Sequence, residues 1–281
     1  MDYEIIKSAV KSGDLHKVRT LCEQGADESE GGDPEGERRN TLLRLAAWHG
    51  HQDVAAYLLD RGADVNTVDP SNQTTPLYTA ALWGYTSLAS MLIQRGANVN
   101  AQDDRDSTPL RRALASYGQS HELPEPHGEE GQRHFEMIQL LLDNGADINA
   151  QDAEGFTALH TVEDVNTANF LIDKGADLNI KDNNDMTPLH NAALFNNVQI
   201  ATLLVQRGAD INAKDNAGKT PLEWAQYENH TKIVNLLQNS VPRSYSASPV
   251  AQPENLSKGG CVGILVFMLV VAPTITVILI R

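Results

Sequence analysis

The sequence has only two cysteines, Cys22 and Cys261, among its 281 residues. They lie near opposite ends of the chain, and no group of cysteines and histidines has the spacing of a zinc site. The sequence therefore argues against a disulfide framework and against a structural zinc site. A reducing compartment is the simpler interpretation.

Aromatic and basic residues are also scarce. Aromatic side chains make up 5% of the chain, which suits helices rich in alanine and leucine better than a β-sandwich, while a hydrophobic content of 41% allows a substantial core. The 22 basic residues are outnumbered by 37 acidic ones, and the net charge of −15 should repel nucleic acid. Residues 1–240 alone have a net charge of −17, so we expect no DNA or RNA partner.

Familiar catalytic motifs are missing as well. The sequence contains no phosphate-binding loop, no nucleophile elbow and no zinc-protease helix. The first seven residues contain no long apolar run, so a secretory signal peptide is not expected. We therefore expect a protein that is not an enzyme and that needs no cofactor or metal.

Two short motifs recur along the chain. Gly-Ala-Asp or Gly-Ala-Asn is found at residues 25–27, 62–64, 96–98, 145–147, 175–177 and 208–210. A Thr-x-Leu element begins at Thr41, Thr75, Thr108, Thr157, Thr187 and Thr220. The spacings of this element are 34, 33, 49, 30 and 33 residues, which indicates a period of 33 with one insertion and one deletion.

The residues between the motifs have the pattern of a helix pair. Thr75 can cap a helix whose first turn tolerates the following proline. Leu77, Ala80 and Ala81 then share one helical face, and a second helix from about Leu88 to Gln94 should end before Gly96. One such unit cannot bury its apolar face alone, so we expect the units to stack.

With Thr-Pro-Leu-His, a leucine-rich second helix and Gly-Ala-Asp-Ile-Asn-Ala, residues 182–214 resemble the ankyrin repeat. The resemblance extends over about residues 2–240 and implies an all-α solenoid of about seven repeats with hairpin fingers. Residues 2–39 would be the N-terminal capping repeat, and residues 40–240 would contain the other repeats, including the C-terminal cap. The segment Glu28–Arg39 is rich in glycine and charge, and we expect it to be a mobile loop.

Two copies are irregular. The fourth carries about 16 extra residues, Gln119 to His134, whose prolines and glycines predict a polar loop between its two helices. The fifth is three residues short after Thr161 and Val162. Either its inter-helix turn around Glu163–Asn166 is abbreviated, or its first helix is cut short.

The C-terminal tail differs in composition from the repeats. Residues 241–260 predict a flexible linker, and residues 261–280 contain no charged side chain. A helix of that length would span about 30 Å, the thickness of a bilayer core. We therefore expect a single-pass transmembrane helix of the tail-anchor kind, with the repeats facing the cytoplasm; a buried helix of a soluble core is the alternative. Lipidation of Cys261 is an alternative to a simple apolar role in that helix.

Ankyrin-repeat proteins usually bind partners through the finger tips and the first-helix face that lines the concave surface, so the resemblance implies contact positions. On the helices these are Trp48, His49, Leu82, Trp83, Ala115, Ser116, Leu194, Phe195, Tyr227 and Glu228. Four of them would form a broken aromatic stripe, a residue type typical of interface hot spots. The alternative is that some of these rings pack between repeats as core, which is the role expected for Trp224.

Acidic residues recur at the finger tips. The first aspartate of each tip matches the family pattern and has a turn-forming role. The additional acids, Asp104, Asp106, Glu154 and Asp185, predict a partner with a basic patch.

Histidine and asparagine positions favour structural roles. By resemblance, His160 and His190 should hydrogen-bond neighbouring repeats. Metal binding by His121, His127 and His134 with nearby glutamates is the alternative to a solvated loop. Asparagine hydroxylation is an alternative to structural hydrogen bonding at Asn66, Asn100, Asn149, Asn179 and Asn212.

Taken with the tail, these features predict a membrane-anchored scaffold or adaptor that binds other proteins, as a monomer. An effector exported by an intracellular bacterium to bind host proteins is an alternative that fits the same sequence. A hydrolase or metal-dependent enzyme built on residues 119–134 is an alternative from a different class.

Overall fold

Helices account for all of the regular secondary structure in residues 2–27, 36–119 and 129–240, the part of the chain that the computed structural model describes. They occur in seven consecutive pairs, numbered here as repeats 1 to 7. In chain order the pairs are α1 (Asp2–Ser12) and α2 (Leu15–Glu23), α3 (Glu37–Trp48) and α4 (Gln52–Asp60), α5 (Pro76–Trp83) and α6 (Thr86–Gln94), α7 (Pro109–Gln119) and α8 (Glu129–Asp143), α9 (Ala158–Thr161) and α10 (Val165–Asp173), α11 (Pro188–Leu194) and α12 (Val198–Gln206), and α13 (Pro221–Tyr227) and α14 (Thr231–Ser240).

The pairs stack in sequence order. In repeats 1 to 4, 6 and 7 the two helices pack on each other, and first helices pack on the first helices of adjacent repeats. The buried residues are mainly leucine and alanine. The small alanine side chains allow neighbouring helices to approach closely. The expected all-helical repeat stack is confirmed for the described residues.

The Thr-Pro-Leu element starts the first helix of a repeat, as its residue types predict. Thr75 is the N-cap of α5, its hydroxyl accepts a hydrogen bond from the backbone N–H of Tyr78, and Pro76 fills the first helical position. The second helix of that repeat runs from Thr86, two residues earlier than expected, to Gln94. Gly96 follows it with φ +90°, a left-handed conformation that glycine adopts at little cost.

Adjacent repeats are also joined by asparagine side chains. The Asn66 Oδ1 atom accepts a hydrogen bond of 2.7 Å from the backbone N–H of Asn98, and its amide donates to the carbonyl of Gly96. The Oδ1 atoms of Asn100, Asn149 and Asn179 accept in the same way from the following repeat. Structural hydrogen bonding, the default expectation, is confirmed at these four positions.

The expected loop Glu28–Arg39 is wrong at its C-terminal end. Helix α3 already begins at Glu37, and Gly36 precedes it with φ +66°. Thr41, expected near the start of the helix, lies inside it, because the next residue is Leu42 rather than proline. A proline there would block extension of the helix toward its N-terminus, and leucine does not. Residues 28–35 lie outside the described part of the chain.

The expected loop Gln119–His134 is likewise too long. Gln119 ends α7, and α8 starts at Glu129, so the second part of the insertion is helical. Gly131 falls in the first turn of α8, where backbone N–H groups have no helical partner and glycine costs less than in a helix interior. Residues 120–128 are outside the described ranges.

Of the two possibilities for repeat 5, the structure shows the second. Its first helix, α9, has four residues and ends at Thr161. Val162 leaves the helix with an extended backbone, and Asp164 caps α10 by accepting a hydrogen bond from Thr167 N–H. The deletion therefore removes the C-terminal part of one first helix and leaves the second helix whole.

The linker expected at 241–260 and the transmembrane helix expected at 261–280 lie outside the described residues. None of the helices between Asp2 and Ser240, as far as the structure describes them, combines the length and the apolar character that crossing a bilayer requires.

Candidate protein-interaction surface

Large aromatic side chains lie on the surface at corresponding ends of four first helices. Trp48 ends α3, Trp83 ends α5, Phe195 follows α11, and Tyr227 ends α13. Their exposed fractions are 51%, 44%, 74% and 67%, respectively. These exposed fractions place the four rings of the predicted stripe at the surface rather than in the core.

The two rings at the N-terminal end of the stripe contact each other. Trp48 and Trp83 have ring centroids 5.5 Å apart and an interplanar angle of 83°, an edge-to-face arrangement. The predicted neighbours His49 and Leu82 are exposed and half-buried, respectively. Burial, together with the proximity of His51 and Lys11, lowers the pKa of His49. A mainly uncharged aromatic patch results.

At the C-terminal end, Tyr227 packs edge-to-face against Trp224, with ring centroids 5.9 Å apart. The ammonium group of Lys219 lies 4.1 Å from the centroid of the Trp224 ring and 4.4 Å from that of Tyr227, which places one cation against two aromatic faces. The Trp224 indole N–H donates a 2.8 Å hydrogen bond to Asp215.

The expectation that Trp224 is a core residue is therefore wrong. The ring is half-buried and belongs to the surface cluster. Repeat 7 is the last repeat that the structure describes, so no described first helix follows it to cover this ring. Lys219 was not predicted from the sequence as part of this cluster. The signal that could have indicated it is a lysine directly before the Thr-Pro-Leu element that precedes Trp224.

The middle of the stripe carries no large ring in the described residues. Ala115 in repeat 4 is exposed, and the side chain of Ser116 is outside the described set. Repeat 5 has no corresponding position, because α9 ends at Thr161. Leu194 in repeat 6 is half-buried beside Phe195. The surface thus consists of an N-terminal aromatic group (Trp48 and Trp83) and a C-terminal aromatic group (Phe195, Trp224 and Tyr227).

The additional finger-tip acids are all exposed, but two of them have a conformational role. Asp106 and Asp185 adopt φ values of 58° and 60°, in the left-handed region that aspartate tolerates better than most residues. Gly155 and Gly218 take the corresponding place in other tips, with φ of 83° and 78°. Turn geometry thus explains part of the acidic pattern that suggested a basic partner.

The other two acids lie where neighbouring tips are hydrogen-bonded. The backbone N–H of Asp104 donates to the carbonyl of Asn72, and the carbonyl of Glu154 accepts from the N–H of Asn183, both at 3.1 Å. Their carboxylates remain exposed. Asp104 and Glu154 are therefore the finger-tip acids whose side chains are best placed to meet a partner.

The first aspartate of each tip forms the turn, as expected. The Asp103 Oδ1 atom accepts 2.9 Å hydrogen bonds from the backbone N–H groups of Arg105 and Ser107. Asp182 and Asp215 are buried and make the equivalent pairs of bonds. These carboxylates therefore stabilise the turns of their own finger tips.

The structure describes only part of the candidate metal-binding segment, residues 119–134. His121 and His127 lie outside the described residues, and His134 lies in α8 with its Nε2 atom 3.3 Å from the carbonyl oxygen of Leu82. Where side chains are described, no three histidine, cysteine or carboxylate residues come close enough to hold a metal ion. A shallow depression of about 330 Å³ between α10 and α12 has no titratable side chain in its lining.

The helix pairs, finger tips and inter-repeat bonds define a helical repeat stack with an exposed aromatic surface. Two family models match the chain: Ankyrin repeats (many copies), over residues 42–93 and 129–162, and Ankyrin repeats (3 copies), over residues 162–245. No curated protein matches the chain. The chain belongs to the ankyrin-repeat family, whose repeats are typically non-catalytic modules for protein–protein interaction.

Proposed function

We propose that this protein is a membrane-anchored scaffold or adaptor that binds partner proteins through the two aromatic groups. The observation that carries the proposal is the exposure of Trp48, Trp83, Phe195 and Tyr227 at corresponding ends of first helices. Tryptophan and tyrosine dominate interface hot spots, because they bury a large area at a small cost in side-chain entropy.

Charge supports a partner with a basic patch. Residues 1–240 have a net charge of −17, and the exposed carboxylates of Asp104 and Glu154 project from neighbouring finger tips. An acidic surface of this kind accelerates encounter with a basic partner and depends strongly on salt concentration.

The membrane tether rests on the sequence of the tail. Residues 261–280 contain no charged side chain and follow a segment rich in serine, proline and glycine. An apolar run of this length matches a bilayer core. The proposal places the repeats in the cytoplasm, joined to the membrane through residues 241–260.

Quantitative affinity capture tests the interaction surface. The full-length chain is compared with Trp48→Ala/Trp83→Ala, and Val68→Ala, which truncates another exposed apolar side chain, is the control. We expect the double variant to lose most of the recovered partners and the control to retain them. Equal recovery by the double variant, with an unchanged circular dichroism spectrum, would contradict the proposal.

The tether is tested by carbonate extraction of membranes. The full-length chain should stay in the membrane pellet after washes with high salt and with carbonate, and a variant lacking residues 261–281 should be released. Recovery of the full-length chain in the supernatant would remove the tether but leave the interaction surface standing.

A further inference from the structure

The buried apolar residues of the stack separate into two cores. The first runs from Ile6 in α1 to Leu141 in α8, and the second runs from Ala158 in α9 to Leu237 in α14. The boundary falls between repeats 4 and 5, whereas every other junction between described repeats lies within one core. Only partly buried side chains, such as Leu114 and Leu142, contact both.

The short first helix of repeat 5 explains the boundary. The first helices α3, α5 and α11 each present a pair of buried alanines to their neighbours, such as Ala80 and Ala81 in α5 or Ala192 and Ala193 in α11. Helix α9 ends at Thr161, before that position, and Val162 is only half-buried. The apolar area that would join α7 to α9 is therefore small, and burial of such area is the main source of stability between repeats.

Polar side chains make contacts across this junction. Arg111 follows Thr-Pro-Leu in α7 and donates hydrogen bonds to the Asp152 carboxylate and to the carbonyl of Phe156. Its guanidinium is largely buried, and burial lowers its pKa. The Nε atoms of Arg111 and of Arg112 are buried without a hydrogen-bond partner. Buried charges of this kind recover little of their desolvation cost, so they add little net stability.

Two further contacts across the junction lie nearer the surface. Phe135 in α8 and Phe170 in α10 have ring centroids 5.0 Å apart, and both rings are half-buried. Lys174 and Asp143 form a solvent-exposed ion pair of 3.3 Å. Exposed ion pairs contribute little.

We infer that repeats 1–4 and repeats 5–7 are two separately cooperative blocks, and that the interaction surface is divided between them. The N-terminal aromatic group lies in the first block, and the C-terminal aromatic group lies in the second. The polar junction lets the two blocks unfold separately and lets the spacing of the two groups adjust. A suitable partner has two apolar contact sites, one for each group, and its binding to both stabilises the junction.

This last consequence rests on the proposed function, whereas the division into two blocks does not. The three tryptophans of the chain provide the test, because Trp48 and Trp83 report on the first block and Trp224 on the second. The full-length chain, kept soluble with a nonionic detergent, is unfolded with urea in two versions. In the Trp224→Phe version the remaining tryptophan emission comes from the first block. In the Trp48→Phe/Trp83→Phe version it comes from the second block.

The two emission signals should give midpoints separated by roughly 0.5 M urea or more, with the smaller second block unfolding first. Far-UV circular dichroism of both versions should show the same two steps, which verifies that the phenylalanine substitutions have not caused the difference. Coincident midpoints in emission and circular dichroism would overturn the inference. They would leave partner binding by the aromatic groups untouched.

Arg111→Met sharpens the test, because it removes the polar contact but keeps an apolar side chain of similar length. Although the intact pair adds little net stability, removing one partner leaves the Asp152 carboxylate and the Phe156 carbonyl without their arginine donor. We therefore expect the separation between the two midpoints to widen by a few tenths of a molar in urea, with the first block's midpoint nearly unchanged. Asp60→Ala, which removes an exposed ion pair with Arg95 inside the first block, is the control and should leave the second block's midpoint unchanged. An equal fall of both midpoints in Arg111→Met would show that the junction is as strongly coupled as the rest.

Discussion

The Nε2 atom of His190 lies 3.1 Å from the carbonyl oxygen of Lys219, the residue directly before the Thr-Pro-Leu element of the next repeat. His160 makes the same contact with Met186. In both residues the Nδ1 atom accepts a hydrogen bond from the backbone N–H of the threonine that caps the same helix. The imidazole must therefore be neutral, with its proton on Nε2, to link two repeats in this way.

These two histidines predict a loss of stability at mildly acidic pH. Burial lowers the pKa of His160 and of His190 below the usual value of 6.5. As the pH falls below about 6.5, each histidine takes up a proton in the unfolded chain while it is still neutral in the folded chain. This favours the unfolded chain, so the stability that is present above about pH 6.5 is lost as the pH falls toward the lowered pKa values of the folded chain. Urea unfolding followed by Trp224 emission should show a lower midpoint at pH 5.5 than at pH 7.5.

The substitution His160→Gln/His190→Gln identifies the source of this pH dependence. Glutamine does not titrate, so the variant, although less stable at pH 7.5, should lose less stability between the two pH values than the natural chain does. The exposed His16 in the first repeat provides the control substitution His16→Gln, which should leave the pH dependence unchanged. An equal loss in the double variant would assign the effect to other groups.

A second prediction concerns the close approach of two finger tips. A Cβ atom at Gly155 would lie 2.7 Å from both the backbone nitrogen and the Oδ1 atom of Asn183. At Gly218, the corresponding position in another tip, a Cβ atom would meet nothing within 4 Å. Both glycines have positive φ, so substitution by alanine costs about 1 kcal/mol at either site from backbone strain alone.

Gly155→Ala should therefore destabilise the chain by about 2–3 kcal/mol, against about 1 kcal/mol for Gly218→Ala. The free energy of unfolding in urea measures both. The difference between the variants isolates the contact between tips, since the backbone conformations are matched. Equal losses would mean that the tips separate at little cost.

A third prediction concerns Asp27, whose carboxylate is fully buried at the end of repeat 1. It accepts hydrogen bonds from the Nε atoms of Arg39 at 3.0 Å and Arg61 at 2.8 Å. Burial raises the pKa of this carboxyl group, but the hydrogen bonds from Arg61 and Arg39 outweigh burial, and the pKa is lowered overall. The carboxylate therefore joins repeats 1 and 2 as an anion.

Asp27→Ala should cost about 3 kcal/mol in unfolding free energy, because it leaves two guanidinium groups partly buried without their shared acceptor. Asp60→Ala removes a solvent-exposed carboxylate from its pair with Arg95 and should cost less than about 1 kcal/mol. Urea unfolding followed by Trp48 and Trp83 emission gives both values. A small effect at Asp27 would show that water replaces the carboxylate as acceptor.

The sequence predicted the parts of the fold that depend on short-range chemistry. Thr75 followed by Pro76 specifies a helix start by capping and by the missing proline N–H, and Gly96 specifies the end of the second helix. The exposed ends of the first helices could also be located, because the period of 33 residues assigns Trp48 and Trp83 to corresponding positions.

Features that depend on contacts between repeats could not be predicted. Trp224 was expected in the core because this position is usually buried in ankyrin repeats, and only the order of the stack shows that no described helix covers it. Arg111 follows Thr-Pro-Leu at the position that His160 and His190 take in repeats 5 and 6, and this is visible in the sequence. Its bonds to Asp152 and Phe156 depend on how repeat 5 packs. The division of the core follows from the same packing.

The last prediction concerns Lys219, whose ammonium group contacts the faces of both Trp224 and Tyr227. Each cation–π contact at an exposed site is worth about 0.5–1 kcal/mol. Lys219→Met keeps the apolar stem and the backbone hydrogen bonds but removes the charge. We expect it to destabilise repeats 5–7 by about 1 kcal/mol and to change the emission of Trp224, because the ring loses its cation.

Lys214→Met is the matched control, since Lys214 is an exposed lysine near the same finger tip. It should change neither the stability nor the emission. Added potassium chloride should reduce the difference between the natural chain and Lys219→Met only slightly, because direct contact with a ring is screened less than a distant charge pair. Identical emission spectra in Lys219→Met and in the natural chain would show that the ammonium group does not occupy this position in solution, and Trp224 would then be held by its hydrogen bond to Asp215 and its contact with Tyr227.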